Sequence, residues 1–252
     1  MRLRAAALSV VLALPAAADP GLPAAFGRIE GAALGACTGV LVAPDQVLAS
    51  ATCLMGPFGG LPDPSRLTFR AGLTGGQAQA EAGGARLILH PSHQPGHVAP
   101  GGHYADAALL VLAAPLPGVV PAVQRQPAAG RSYSVAHYPR RDRSDSGTPV
   151  ANTCRAAPFR APYQPYECGD RVNWDATGGT VLDLGRGAPA VVGLVLNQNR
   201  SGGSRWLNTL PIAGALSDLR AEAAGRATPR VMRGGKSDSP RELPGRIGII
   251  RP

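Results

Sequence analysis

The sequence predicts an all-β protein, and three observations predict it. Short runs rich in Val, Leu and Ala recur along the chain; Gly and Pro clusters punctuate them at intervals of about 8 to 15 residues; and only one stretch has a convincing helical period. The chain has 252 residues, 44% hydrophobic and 4% aromatic, enough for one large β domain or two small lobes sharing a cleft.

Taken in order, residues 1–18 read M-R-L-R-A-A-A-L-S-V-V-L-A-L-P-A-A-A: two arginines, an apolar run of about ten residues, then small residues, the build of a secretory signal peptide. The run is too short to span a bilayer, which takes about 18 apolar residues or more, and no later segment is apolar enough. Cleavage is expected near Ala18–Asp19 and the location is expected to be secreted or periplasmic. Candidate strands follow at Phe26 to Glu30, Gly39 to Ala43, Gln46 to Ser50, Arg86 to Leu89, Ala107 to Leu112, Val119 to Val123, Ser132 to His137, Thr180 to Leu182 and Ala190 to Asn197. A helix is expected over Pro211 to Ala224, where Ile212, Leu216 and Leu219 share a face. Residues 223–252 are expected to form a disordered basic tail, since past Gly225 the chain reads R-A-T-P-R-V-M-R-G-G-K-S-D-S-P-R-E-L-P-G-R without apolar periodicity.

Four cysteines in an exported chain without a C-x-x-C are expected to be paired. Bonds Cys37–Cys53 and Cys154–Cys168 would close two short loops, each worth roughly 3 kcal/mol in the chain-entropy model. The formal charge of +9 does not describe a nucleic-acid face. Seven arginines and one lysine against three acids lie between Arg220 and Pro252, and Arg2 and Arg4 leave with the signal, so the domain itself is nearly neutral. No metal site or cofactor is expected: His90, His93 and His97 are regularly spaced, but Pro91, Pro95 and Gly96 forbid the helix that would align them.

Several stretches carry a family resemblance. G-R-I-E-G-A-A-L-G-A-C-T-G-V-L-V-A-P-D-Q-V-L-A-S-A-T-C, from Gly27 to Cys53, resembles a strand followed by C-T-G-x-L-I-A-P and a T-A-A-H-C block. A-R-L-I-L-H-P and D-A-A-L-L-V-L from Asp106 resemble the approach to D-x-A-L-L-x-L. V-N-W-D-A-T-G-G-T-V from Val172 falls where G-D-S-G-G-P-V would stand, and V-V-G-L-V-L-N-Q-N falls where the next strand lines a specificity pocket. Together they resemble the chymotrypsin/trypsin-like serine proteases, in particular short bacterial exported members, over about residues 22 to 222. The resemblance implies two six-stranded antiparallel β-barrels, about 19–122 and 123–222, followed by a C-terminal helix, with any active cleft between the barrels. Arg28-Ile29-Glu30-Gly31 looks like an activation site, but it lies too close to Cys37 and is read as the first strand.

Carried over residue by residue, the resemblance puts Thr52 where the family has its His base, Asp106 at the orienting Asp and Thr177 at the nucleophilic Ser. A threonine hydroxyl is no general base near neutral pH, and the extra methyl of Thr177 crowds an attack made at about 3 to 3.5 Å. In the oxyanion loop Asp175 replaces a Gly and would oppose developing negative charge; Ala176 replaces the family's buried Asp, and Thr180 its Pro. No Ser occurs between Ser146 and Ser201 to stand in.

The expected function is therefore that of an exported, catalytically inactive protease homologue, binding a polypeptide or envelope protein partner. The alternative is residual hydrolysis with Thr177 as nucleophile and His103 or a water as base. The basic tail could in addition hold an anionic envelope surface, each Arg near the membrane contributing about 1 kcal/mol.

Overall fold

The computed structural model describes residues 21–31, 34–55, 60–93, 105–139, 147–169, 176–185 and 187–225. The expected signal peptide lies outside them, as does the expected basic tail beyond Gly225; the first residue expected in that tail, Ala223, instead ends the terminal helix.

The first barrel is built from β1 (Phe26–Glu30), β2 (Cys37–Ala43), β3 (Gln46–Ala49), β4 (Thr68–Ala71), β5 (Ala80–Leu89) and β6 (Ala108–Leu112). Their order is β1-β2-β3-β6-β5-β4, closed by antiparallel pairing of β1 with β4. Closure needs Gly27: a side-chain carbon there would lie 2.4 Å from the Arg70 carbonyl and 2.6 Å from the Phe69 ring. Phe26 and Ile29 of β1 turn inward and Phe69 of β4 meets them, all at most 1% exposed.

The second barrel uses β8 (Ser132–His137), β9 (Val150–Ala156), β10 (Gln164–Glu167), β11 (Thr180–Asp183), β12 (Ala190–Ser201) and β13 (Ser204–Pro211). It runs β11-β8-β9-β10-β13-β12 and closes through β11–β12, while the two-residue β7 (Val123–Gln124) adds parallel to β12. Arg125, next to β7, pairs with the buried Asp183 of β11 at 2.7 Å.

A short helix α1 (Ala51–Leu54) leaves β3, and the terminal helix α2 (Ile212–Ala223) leaves β13. Ile212, Ala215, Leu216 and Leu219 of α2 join the same apolar cluster as the first barrel's interior, along with Ala136, Leu182, Val191, Leu194 and Leu210 of the second barrel. Tyr138 fastens the two halves as well: its N–H donates to Thr38 Oγ1 at 2.9 Å, its hydroxyl to the Leu73 carbonyl at 2.8 Å, and its ring stacks on Phe26.

The expected strand over Val119 to Val123 is reduced to β7. Pro115, Pro117 and Pro121 remove ladder donors from that run, which serves as the connection between barrels. Strands β4, β9, β10 and β13 carried no sequence expectation. They are short or mix polar with apolar residues, and Pro165 interrupts β10 one residue before its ladder with β9 begins at Tyr166.

Both disulfides are formed, Cys37–Cys53 in the first barrel and Cys154–Cys168 in the second. Bonds of this kind persist in oxidising compartments. Among the described residues, no helix is long and apolar enough to cross a membrane.

Candidate functional site

The first barrel's share of the site is made where β3 turns into α1. Ser50 is the N-cap of that helix, its backbone extended (φ −68°, ψ 130°) and its hydroxyl accepting from the Cys53 N–H at 3.3 Å. The same hydroxyl donates to Asp106 Oδ2 at 2.8 Å, and the Thr52 backbone N–H donates to Asp106 Oδ1 at 2.6 Å. Both carboxylate oxygens are thus engaged, by residues two apart in α1's first turn. Asp106 is 3% and Ser50 2% exposed, so each buried polar group finds its partner inside the protein. The Thr52 side chain points outward and is exposed.

The second barrel's share is the turn from Ala176 to Gly179, leading into β11. The Gly179 N–H returns to the Ala176 carbonyl at 2.8 Å, while Gly178 N–H to Val195 O and Val195 N–H to Gly179 O, both 2.8 Å, tie the turn to β12. The turn requires its glycines. Gly178 has φ +81°, and a side-chain carbon on Gly179 would lie 2.8 Å from the Ala176 carbonyl and 2.9 Å from that of Ala136. Ala176 is fully buried and Thr177, at the outer point of the turn, is exposed.

These two shares touch. A side-chain carbon on Gly178 would lie 3.5 Å from Ser50 Cβ and 3.7 Å from Cys53 Cβ, so the residue after Thr177 packs on the residues flanking Thr52. Sequence reasoning thus names three positions, Thr52, Asp106 and Thr177, that the fold brings to one place.

Among the described residues, no imidazole hydrogen-bonds Asp106 or Thr177. Asp106 has Ser50 and the Thr52 N–H as its hydrogen-bond partners, and the Thr177 hydroxyl has none. His137 is buried at the end of β8 on the inner side of Gly179. His90 is buried at the end of β5, its Nδ1 accepting from the Ser92 N–H at 3.2 Å and its Nε2 3.5 Å from Asp218 of α2. Burial holds the His90 imidazole below its usual value, with Asp218 pulling it back up. Asp175, His97 and His103 lie outside the described residues. No group of three or more His, Cys, Asp or Glu side chains able to hold a metal is found among those described.

Ser50 is the functional position that sequence reasoning missed. The signal was available: a serine directly before a short apolar segment, three residues ahead of a cysteine whose N–H needs an acceptor, is an N-cap pattern. Its second bond, to a residue 56 positions away, has no local signal.

Two closed six-stranded antiparallel barrels followed by a C-terminal helix are the fold of the trypsin-like serine proteases. Solved structures share it. A Glu endopeptidase solved in complex with MPD superposes with a TM-score of 0.59 at 15% identity, covering 81% of this chain and 92% of that one. The protease Anisep from Arthrobacter nicotinovorans gives 0.57 at 17%, covering 81% and 96%. A scabies mite inactivated protease paralogue, SMIPP-S-D1, gives 0.58 at 11%, covering 82% and 94%. No family model matches the sequence, and no curated protein matches it.

Proposed function

We propose that this chain is an exported polypeptide-binding protein built on a protease frame, without peptidase activity by the serine mechanism. The observation that carries the reading is the state of Asp106. In a working site that carboxylate holds an imidazole, which in turn takes the nucleophile's proton; here, among the described residues, it accepts from the Ser50 hydroxyl and the Thr52 N–H and from no imidazole. Thr177 then keeps a hydroxyl with no base bonded to it among the described residues, and an alcohol without a base is a poor nucleophile at neutral pH. Losing one triad member removes on the order of 10⁴-fold or more in rate.

Binding needs none of those groups. The frame is closed by two barrels and stapled by two disulfides, and it leaves the loops bearing Thr52 and Thr177 exposed side by side. That this fold also serves an inactivated protease paralogue fits the reading, and the disulfides fit export. The basic segment beyond Gly225 would add attraction to anionic envelope surfaces, which vesicles with and without anionic lipid would reveal as a tail-dependent difference.

The test uses a fluorescein-labelled, carboxymethylated unfolded protein as probe. It should bind with a rise in anisotropy and remain uncut over a day. Cleavage that disappears in a Thr177→Ala variant, or the absence of binding, would overturn the proposal.

A further inference from the structure

The pocket next to the site has a chemistry of its own. Its volume is about 640 Å³, and it opens on the outer face of the first barrel where β1 pairs with β4. Arg28, Glu30, Arg66, Arg70 and Glu81 line it, and Ala36 forms part of its rim. Ala36 precedes Cys37, and Cys37 is bonded to Cys53, the residue after Thr52. One disulfide therefore joins the pocket's rim to the candidate site.

The strand register explains why charge collects there. Arg28 stands opposite Arg70 and Arg70 opposite Glu81, with Glu30 two residues along β1 on the same face. Glu30 Oε1 lies 3.1 Å from Arg28 Nε in an ion pair and accepts from Arg70 Nη1 at 3.5 Å; Glu81 Oε2 lies 3.4 Å from Arg70 Nε. The Arg70 side chain also donates to the Gly76 carbonyl at 2.9 Å. Each glutamate is used by an arginine already, which leaves Arg66 over. It sits at the end of a short 3-10 turn (Pro64–Arg66), exposed; its backbone N–H donates to the Asp63 carbonyl at 3.0 Å, while its guanidinium makes no hydrogen bond or ion pair among the described residues, although its charge, behind the Ser65 hydrogen bonds, helps hold the Asp63 carboxyl below its usual value. Asp63, which caps the turn, spends its oxygen on the Ser65 N–H and hydroxyl, and lies outside the pocket lining.

We infer that this pocket receives a carboxylate-bearing segment of the bound polypeptide, an Asp or Glu side chain or a chain terminus, with Arg66 as its principal contact and Arg28 and Arg70 setting the positive surroundings. Guanidinium matches a carboxylate with two parallel N–H donors, and the half-buried Arg28 and Arg70 offer a field less screened than that of open surface charges. The inference rests on the polypeptide-binding reading above and supplies its chemical preference.

The test compares two fluorescein-labelled ten-residue peptides, (Gly-Glu)₅ and (Gly-Gln)₅, on the full chain at low salt. The Glu peptide should bind about tenfold more tightly or better, and Arg66→Gln should remove most of that preference. Arg66 is exposed, so the variant is expected to fold, which thermal melting verifies. Because the basic tail also attracts anions, a full chain carrying Arg230→Gln and Arg233→Gln is the control, and it should keep the part of the preference that Arg66 confers. Equal binding of both peptides with no effect of Arg66→Gln would overturn the pocket while leaving the polypeptide reading in place. If neither peptide nor the unfolded probe binds, both fall. A preference lost in the tail variant and kept in Arg66→Gln would assign it to the tail and overturn the inference.

Discussion

The two barrels meet at one junction but are held together differently. In the first, the apolar interior is continuous with helix α2 and the inter-barrel contact, and the site's polar groups are satisfied: Asp106, Ser50 and the Thr52 N–H bond one another out of solvent. The second has a small separate core, centred on Tyr133, Tyr166, Val181, Val192 and Leu207, with both cysteines of the Cys154–Cys168 bond inside it. Tyr166 is fully buried, packed edge-on to Tyr133, with its hydroxyl unpartnered among the described residues; the Thr180 hydroxyl is in the same condition. The difference teaches that two lobes sharing a site need not be satisfied alike. Here the half that holds the Asp106 carboxylate has the site's buried polar groups bonded, and the half that carries Thr177 has buried hydroxyls without a bond among the described residues.

The comparison breaks first at the disulfides. Replacing Cys154 and Cys168 by Ala should cost about 3 kcal/mol and expose the second barrel to limited proteolysis before the first. The same change at Cys37 and Cys53, closing a loop of similar length, should leave the first barrel's larger core protected. Equal digestion of both halves in the two variants would show that the cores do not differ as described.

Asp106→Ala comes next. It strands the buried Ser50 hydroxyl and the Thr52 N–H and should destabilise by about 2 kcal/mol in urea unfolding, whereas Thr177→Ala should stay within about 0.5 kcal/mol, as for an exposed side chain without partners. A larger loss at Thr177 would mean that the outer turn is bonded after all.

Tyr166→Phe sharpens the second barrel's side. Burial pushes the Tyr166 phenol far up, so it stays neutral, and removing a buried hydroxyl without a partner should be neutral or stabilise by up to about 1 kcal/mol. A clear loss of stability would mean that this hydroxyl has a bond.

The smallest effect is that of pH on the clamp between α2 and β5. His90 is neutral and buried, its value held below the usual 6.5 by burial against the opposing pull of Asp218, with His93 adding a small push downward. The unfolded chain takes up that proton near pH 6.5 while the folded chain waits for a lower pH, so this contribution is complete above about 6.5 and is lost as pH falls through the folded value. The melting temperature should drop on acidification from about pH 7 to 5. His90→Gln should reduce the slope, and an unchanged slope would remove the clamp from the explanation.

Much of this was legible in the sequence, for reasons that particular residues make plain. The strands β1, β2, β3, β6 and β8 announce themselves because apolar residues and tight Gly or Pro turns fall where a half-buried ladder needs them. The strands β9, β10 and β13 do not, because V-A-N-T-C-R-A, Q-P-Y-E and S-R-W-L-N-T-L-P are set by pairing partners rather than by their own pattern. At the site, Thr52, Asp106 and Thr177 are found by motif position alone. The bond from Ser50 to Asp106 and the Arg66 pocket were not, since both depend on residues brought together by barrel closure.

The central claim is that no group here draws the proton from Thr177. Intact-mass analysis of the full chain after exposure to a fluorophosphonate ester probe tests it most directly. The account expects no adduct on Thr177 and ester turnover no faster than that of the Thr177→Ala variant. An adduct mapped to Thr177 and abolished by Thr177→Ala would contradict it.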